Sequence, residues 1–294
     1  MTTNSPTRVA AKRHALSFLA ALATAALLLA PAVVRAQVTL GPTVQSFGVL
    51  AGSTVTNTGP SAVAGNVGVS PGVAITGFPP GAATGTLQAG GATAAQAQTE
   101  LTSAYNAAAA AACNTDLTGQ DLGGLTLTPG VYCFAASAQL TGNLTLDFQG
   151  NPNANFLFQV GSTLTTASNS NVLAINAGGA GCLQNVNFQI GSSATLGTTT
   201  NFAGNILALT SITLTTGANL RGRALARNGA VTLDSNLSVG GCPAAAAFPG
   251  GPIPAPGAGT IVSVPTLQEW ALILLALMLA GFGGWHVRRK AIAR

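Results

Sequence analysis

Apolar residues along this chain follow two kinds of pattern. Continuous apolar runs occupy Ala15 to Ala30 near the start and Ala271 to Trp285 near the end. Between them the pattern alternates. Thr163-Leu164-Thr165-Thr166, Thr195-Leu196-Gly197-Thr198, Thr213-Leu214-Thr215-Thr216 and Thr232-Leu233-Asp234-Ser235 put Leu and Thr on opposite sides, the two-residue period of a strand. The words recur: Phe156-Leu157-Phe158-Gln159-Val160-Gly161-Ser162 returns as Phe188-Gln189-Ile190-Gly191-Ser192. Phe188, Leu207 and Leu225 step by 19 and 18 residues, and Leu196, Leu214 and Leu233 by 18 and 19.

A fixed period of this size predicts a stack of β-coils, each unable to bury its apolar side alone. Leu164, Leu196, Leu214 and Leu233 are expected to stack in the core. Thr163, Thr165, Thr195, Thr213, Thr215 and Thr232 are expected to point outward, with Gly and Asn at the corners. One stretch departs from the strand pattern. Gly91 to Ala112 is dense in alanine and free of proline, which predicts a single helix with Leu101 and Tyr105 facing inward. Cys113, just beyond it, would tether the helix to the strand bearing Cys133.

Composition sharpens this picture. The 294 residues carry 11 basic and 6 acidic side chains, and most of the basic ones sit near the termini. Between Gln37 and Pro243 only Arg221, Arg223 and Arg227 oppose Glu100, Asp116, Asp121, Asp147 and Asp234, too few cations for a nucleic-acid partner. His14, His286, Lys12 and Lys290 are all terminal, so the middle section offers no Ser-His-Asp device, Schiff-base lysine or His-ligated metal site. No catalytic residue, metal or cofactor is expected, and the protein is not read as an enzyme. A carbohydrate-cleaving β-helix enzyme is disfavoured by the missing Lys and His.

The ends read as addresses. Residues 1–36 have a basic start, an apolar middle and Val34-Arg35-Ala36, the layout of a signal peptide cleaved before Gln37. The domain proper is 37–243. Residues 244–263, rich in Ala, Pro and Gly, read as an extended linker, and 264–294 combine Val264-Pro265-Thr266-Leu267-Gln268-Glu269-Trp270, an apolar helix able to enter the membrane and a basic stop. Hydrophobic helices are thus expected at both termini. All four cysteines fall in the exported section, where disulfides form. Three pairings are open; Cys113 with Cys133, closing a local loop, and Cys182 with Cys242, pinning the domain's end, are favoured.

The motif Val264, Pro265, Thr266, Leu267, Glu269 and Trp270, followed by helix and basic tail, resembles the IPTL-type C-terminal sorting domain, with Val264 in place of the usual Ile. That resemblance implies an exosortase-like membrane protease as partner and delivery to the surface of a Gram-negative cell, with a transient or permanent anchor.

Phe47-Gly48-Val49-Leu50-Ala51-Gly52-Ser53-Thr54-Val55-Thr56-Asn57-Thr58-Gly59-Pro60, Gly65-Asn66-Val67-Gly68-Val69-Ser70-Pro71-Gly72, Thr76-Gly77-Phe78-Pro79-Pro80-Gly81 and Thr128-Pro129-Gly130-Val131-Tyr132-Cys133-Phe134 resemble the microbial ice-binding family, as does Gly222-Arg223-Ala224-Leu225-Ala226. The likeness spans about residues 40 to 243. It implies a mainly β fold: a discontinuous right-handed parallel β-solenoid of triangular section with one long helix alongside, whose coils do not stack in simple sequence order. Such an order would account for the gap from Phe158 to Phe188.

It also implies adsorption to ice or ordered water through a flat Thr-rich face, here Thr163, Thr165, Thr195, Thr213, Thr215 and Thr232. Thr166-Ala167-Ser168-Asn169 and Thr216-Gly217-Ala218-Asn219 match a word found on some such faces. The competing expectation is a structural or adhesive surface protein that binds extracellular polysaccharide.

Overall fold

The computed structural model describes residues 38–178 and 183–240. The expected signal peptide, linker, sorting tail and terminal helices lie outside the described residues, as do Cys182 and Cys242.

Every strand pairing is parallel, and the strands form three sheets. The first sheet runs, in spatial order, through Leu87–Ala89, Asn66–Val69, Phe47–Ala51, Ala224–Ala226, Asn205–Ala208, Val186–Ile190, Phe156–Val160, Gly130–Phe134 and Thr115–Asp116. The second contains Ala138–Leu140, Leu164–Thr166, Ala194–Leu196, Ile212–Leu214, Val231–Asp234, Thr54–Thr58 and Ala74–Thr76. The third begins with Ala82–Ala83 and Ala62–Ala64 and continues through Val239–Gly240, Asn219–Arg221, Asn201–Ala203, Asn171–Ile175 and Asn143–Asp147 to Thr126–Leu127.

The chain visits the sheets in rotation, but the coils are not stacked in sequence order. Two N-terminal coils form first, and Leu87–Ala89 closes that end. A helix, α2 (Ala92–Ala109, following the short α1, Pro42–Gln45), then carries the chain to Thr115–Asp116 at the far edge of the first sheet. The remaining coils stack back toward the start, until Ala224 and Leu225 pair with Val49 and Leu50. The discontinuity therefore lies at this seam and at α2. It does not explain the gap between Phe158 and Phe188: these two residues are direct partners in adjacent strands, and the extra length falls between Ile175 and Val186.

Burial accounts for the helix. The inner strands of the first sheet are largely buried on both sides, the habit of parallel strands covered twice. Inside, Tyr132, Phe158 and Phe188 stack with ring centroids 5.4 and 4.4 Å apart. Outside, Leu50, Leu157, Leu207 and Leu225 pack with Ala94, Ala97, Leu101, Ala104, Tyr105 and Ala108 of α2. Alanine at these positions lets the helix lie close, Tyr105 donates to the Ile190 carbonyl at 3.2 Å, and Gln159 Nε2 caps the helix by donating to the carbonyls of Ala108 and Ala111 at 2.7 and 2.8 Å. The disulfide Cys113–Cys133 fixes the chain beyond the helix.

Two expected stacks are rearranged. Leu196, Leu214 and Leu233 share one inner rank, but their neighbour there is Thr166 and then Leu140; Leu164 instead stands in the adjoining rank with Ala138, Ala194, Ile212, Val231 and Val55. Phe188 faces the core beside Ile206, whereas Leu207 and Leu225 face α2. A sheet buried on both faces has no polar side to mark which residues point inward.

The seam is clasped by polar contacts. Arg223 donates to the Gln45 carbonyl through Nε and Nη2, at 3.1 and 2.9 Å, and to Asn205 Oδ1 through Nη1 at 3.2 Å; burial pushes its pKa down. At the first residues of four third-sheet strands an amide ladder runs across coils: Asn171 donates to Asn143 at 2.9 Å, Asn201 to Asn171 at 3.0 Å and Asn219 to Asn201 at 3.2 Å. Each middle member both gives and accepts, so these corner amides satisfy one another and hold the coils in register.

Candidate functional site

Among the described residues the second sheet carries no helix, and its outer side is built mostly from small polar residues. Because its strands are in register, residues two apart along each strand generate straight ranks across the coils. The central rank reads Gln139, Thr165, Thr195, Thr213, Thr232, Thr56 and Thr76, each a Cα partner of the next. Six threonines thus stand side by side on six strands, while Leu164, Ala194, Ile212, Val231 and Val55 fill the core behind them.

Four of the expected site residues, Thr165, Thr195, Thr213 and Thr232, fall in this rank. Thr163 does not: it immediately precedes its strand, where its hydroxyl shares a 2.8 Å hydrogen bond with Ser137. Thr215 lies on the other side, following Ile212–Leu214, and donates to the Leu196 carbonyl at 2.8 Å. Two members absent from the expectation, Thr56 and Thr76, come from the N-terminal coils. Their words, Thr54-Val55-Thr56 and Ala74-Ile75-Thr76, carry the same alternation with Val or Ile in place of Leu.

In the C-terminal coils hydrogen bonding distinguishes the central rank from hydroxyls beside it. None of the six threonine hydroxyls of the rank bonds to another described residue, whereas several beside it are engaged: Thr163 with Ser137, Thr215 with Leu196, Thr216 with the Asp234 carboxylate, and Ser193 and Ser211 with the backbone amides of Ser211 and Ala230. The central hydroxyls keep their donor and acceptor capacity for water. Their side chains are also stiff, because β-branching restricts χ1.

The two Thr-Ala/Gly words lie at the corner between the second and third sheets. Thr166 is buried, sharing a hydrogen bond with Thr200 at 2.9 Å and accepting from the Gly197 amide, so it is no part of the outer surface. Asn169 and Gly217, one in each word, take positive φ of 60° and 70°, the conformation needed to turn the chain.

Two carboxylates neighbour the central rank. Asp234 stands two residues beyond Thr232 on the same strand, and Asp121 bridges to Gln139 at the end of the rank. Partial burial raises the pKa of Asp121, but hydrogen bonds from the Thr141 side chain and the amides of Gly123 and Thr141 outweigh this and hold the carboxyl below its usual value. Among the described residues no group of three or more His, Cys, Asp or Glu converges to hold a metal.

A three-sheet parallel solenoid with a helix on one sheet and an in-register threonine rank on another defines a narrow class of repetitive-surface proteins. Within it, residues 49–239 match the family model described as ice-binding-like, and residues 262–289 match the IPTL-CTERM motif. The chain belongs to the ice-binding-like family. It is 63% identical over 198 residues to the ice-binding protein of Nostoc sp. (strain HG1), a match covering 67% of this chain and 72% of that one. It is 40% identical over 146 residues to ice-binding protein 1 of Shewanella frigidimarina, covering 48% of this chain and only 16% of that larger protein. Among solved structures, an ice-binding protein from an Antarctic biological consortium aligns with TM-score 0.66 and 47% identity, covering 70% of this chain and 92% of that one. That of the ascomycete Antarctomyces psychrotrophicus aligns with TM-score 0.66 and 38% identity, covering 69% and 98%.

Proposed function

We propose that the chain adsorbs to ice through the outer side of the second sheet, acting by surface binding and not by catalysis. The observation that carries this reading is the central rank: six threonines in register, none of their hydroxyls tied to another described residue. Strands repeat every ~4.8 Å across a sheet and same-side residues every ~6.7 Å along it, a rigid two-dimensional array. Each threonine presents a methyl that restrains neighbouring water and a hydroxyl that anchors it. Thr165, Thr195, Thr213, Thr232, Thr56 and Thr76 form the centre of the site, with Thr163 and Thr215 as flanking members. The winding is taken as right-handed, the preferred hand of parallel strand connections.

The protein reaches ice after export. The signal peptide is removed after Ala36, residues 264–294 serve as the sorting tail read by an exosortase-like protease, and the domain is delivered to the surface of a Gram-negative cell. Polysaccharide recognition has less support: the large hydrophobic side chains exposed among the described residues are Val73, Leu87, Ile175 and Leu237, none of them an aromatic platform for a sugar ring.

Ice-affinity partitioning of the purified 37–243 domain tests the reading. Enrichment in the ice fraction, lost on Thr213→Tyr with folding retained, is expected. Exclusion of the folded parent from ice would overturn it.

A further inference from the structure

We propose that Asp234 sets the width of the ice-contacting surface: its carboxylate breaks the flanking rank on the third-sheet side and so holds ice contact there to the central threonines. The inference deepens the ice-binding reading above and rests on it. Asp234 ends the strand Val231–Asp234, in which Val231 and Leu233 are buried while Thr232 and Asp234 face out. It therefore shares the outer side of the second sheet with the central rank, one strand period, about 6.7 Å, from Thr232. Its Cα partner in the next strand is Thr58, and on the other side the pairing of Leu233 with Leu214 brings Thr215 into line with it. The flank thus runs Thr215, Asp234, Thr58, parallel to Thr213, Thr232, Thr56.

Across all seven strands of this sheet, Asp234 is the one ionisable residue. Its surroundings hold it in place. Thr216 and Ser235 both donate hydroxyl hydrogens to the carboxylate, the latter at 3.2 Å, and the backbone amide of Asp234 donates to Asn236 Oδ1 at 2.8 Å. A side chain bonded on two sides is not free to fold away from an approaching crystal.

The chemistry of the two side chains differs. A threonine hydroxyl can give a hydrogen to one water and accept from another, as each water of an ice layer does. An ionised carboxylate only accepts, through about four lone-pair positions, two of which Thr216 and Ser235 occupy. Waters over the remaining positions must all point hydrogens at the carboxylate. Such a shell does not continue the layer over Thr232, and stripping it from a charge is costly. The opposite flank, Ser137, Thr163, Ser193, Ser211, Ala230 and Thr54, has no charge to impose this limit.

The test uses the exported protein, purified from cells expressing the full chain, beside Asp234→Thr, Asp234→Asn and Asp147→Asn, with melting temperatures to verify folding. Asp147, on the third-sheet strand Asn143–Asp147, controls for the loss of one negative charge away from the site. Asp234→Thr should raise thermal hysteresis at equal concentration about twofold or more, the scale of one added hydrogen bond. Asp234→Asn, which keeps an acceptor for Thr216 and loses the charge, should give a smaller rise, and Asp147→Asn none. Thr58→Val should cost little in the parent but remove much of the gain in the Asp234→Thr protein, because only there does the flank work as a unit. Folded Asp234 variants that shape ice no more strongly than the parent would overturn the role of Asp234. So would an equal rise in Asp147→Asn, or a Thr58→Val loss that is the same in both backgrounds. Should Asp234→Thr not fold, the Asp234→Asn comparison decides alone. A parent and variants that all ignore ice would instead overturn the ice-binding reading.

Discussion

Thr56 stands beside Thr232 in the second sheet, Cα partner to Cα partner, although the two lie near opposite ends of the domain's sequence. The seam between the first and last coils therefore runs through the threonine rank, and the N-terminal coils supply two of its six members. Thr56→Tyr should weaken ice adsorption as much as Thr213→Tyr does. Both positions face solvent, so each should change stability by no more than about 0.5 kcal/mol. Thermal hysteresis beside melting temperature checks this; full activity in a folded Thr56→Tyr protein would confine the site to the C-terminal coils.

Hydroxyls already engaged within the protein should matter less. Thr163, bonded to Ser137, and Thr215, bonded to Leu196, are expected to tolerate replacement by Val with little loss of ice shaping, whereas Thr195→Val and Thr213→Val should reduce it. Growth-rate measurements on single crystals distinguish the two sets. A larger loss at Thr163 than at Thr213 would shift the working rank toward the sheet's edge.

The amide ladder predicts a stability effect separable from function. Asn201→Leu removes the bonds to both Asn171 and Asn219; with half-buried partners and about 0.5–1.5 kcal/mol for each bond, this should cost about 1–3 kcal/mol. Chemical denaturation reads the loss. Ice adsorption, measured well below the new melting temperature, should be unchanged because the ladder borders the third sheet.

Cys113 and Cys133 close a loop with a sequence separation of 20, worth about 3 kcal/mol by loop entropy. The Cys113→Ser, Cys133→Ser double variant should melt lower while its folded fraction still binds ice. Peptide mapping of exported protein should also recover Cys182 joined to Cys242. Leu183 and Gly240, their described neighbours, lie along the same solenoid edge, three coils apart, or about 14 Å at ~4.8 Å per coil. Free thiols at 182 and 242 would contradict that pairing.

The pH response follows from Asp121. Its carboxyl titrates lower in the folded protein than in the unfolded chain, so it contributes stability that is present above the unfolded value of about 3.9 and lost as pH falls through the folded value. The domain has no His or Lys, and the threonine rank does not titrate. Melting temperature and ice activity should stay level from about pH 5 to about pH 8 and decline below about pH 4. A step between pH 6 and pH 8 would require a group these residues do not provide.

Which side of each second-sheet strand faces out was legible in the sequence, because Thr-Leu-Thr has one soluble side and one apolar side. Register was not. Aligning Thr163-Leu164-Thr165 with Thr213-Leu214-Thr215 preserves every inward and outward assignment, yet the structure pairs Thr165 with Thr195 and Thr195 with Thr213, a slip of two residues. A shift equal to the strand period costs nothing in alternation. What fixes it lies elsewhere, in the corner residues Asn169, Thr199, Gly217 and Ser235, all at positive φ, and in the asparagine ladder beyond them. The helix was legible almost to its ends, from alanine density alone. The contribution of Thr56 and Thr76 was hidden because it depends on contacts between distant segments, which no local pattern encodes.

The seam also bears on how the molecule is made. Phe47–Ala51 is the first long strand to be synthesised, and one of its two edges is completed only by Ala224–Ala226, among the last. A chain threading outward from its N-terminus thus carries an unsatisfied row of backbone amides and carbonyls until nearly the whole domain has emerged. Any truncation before residue 224 leaves that row bare, an invitation to pair with a neighbouring chain.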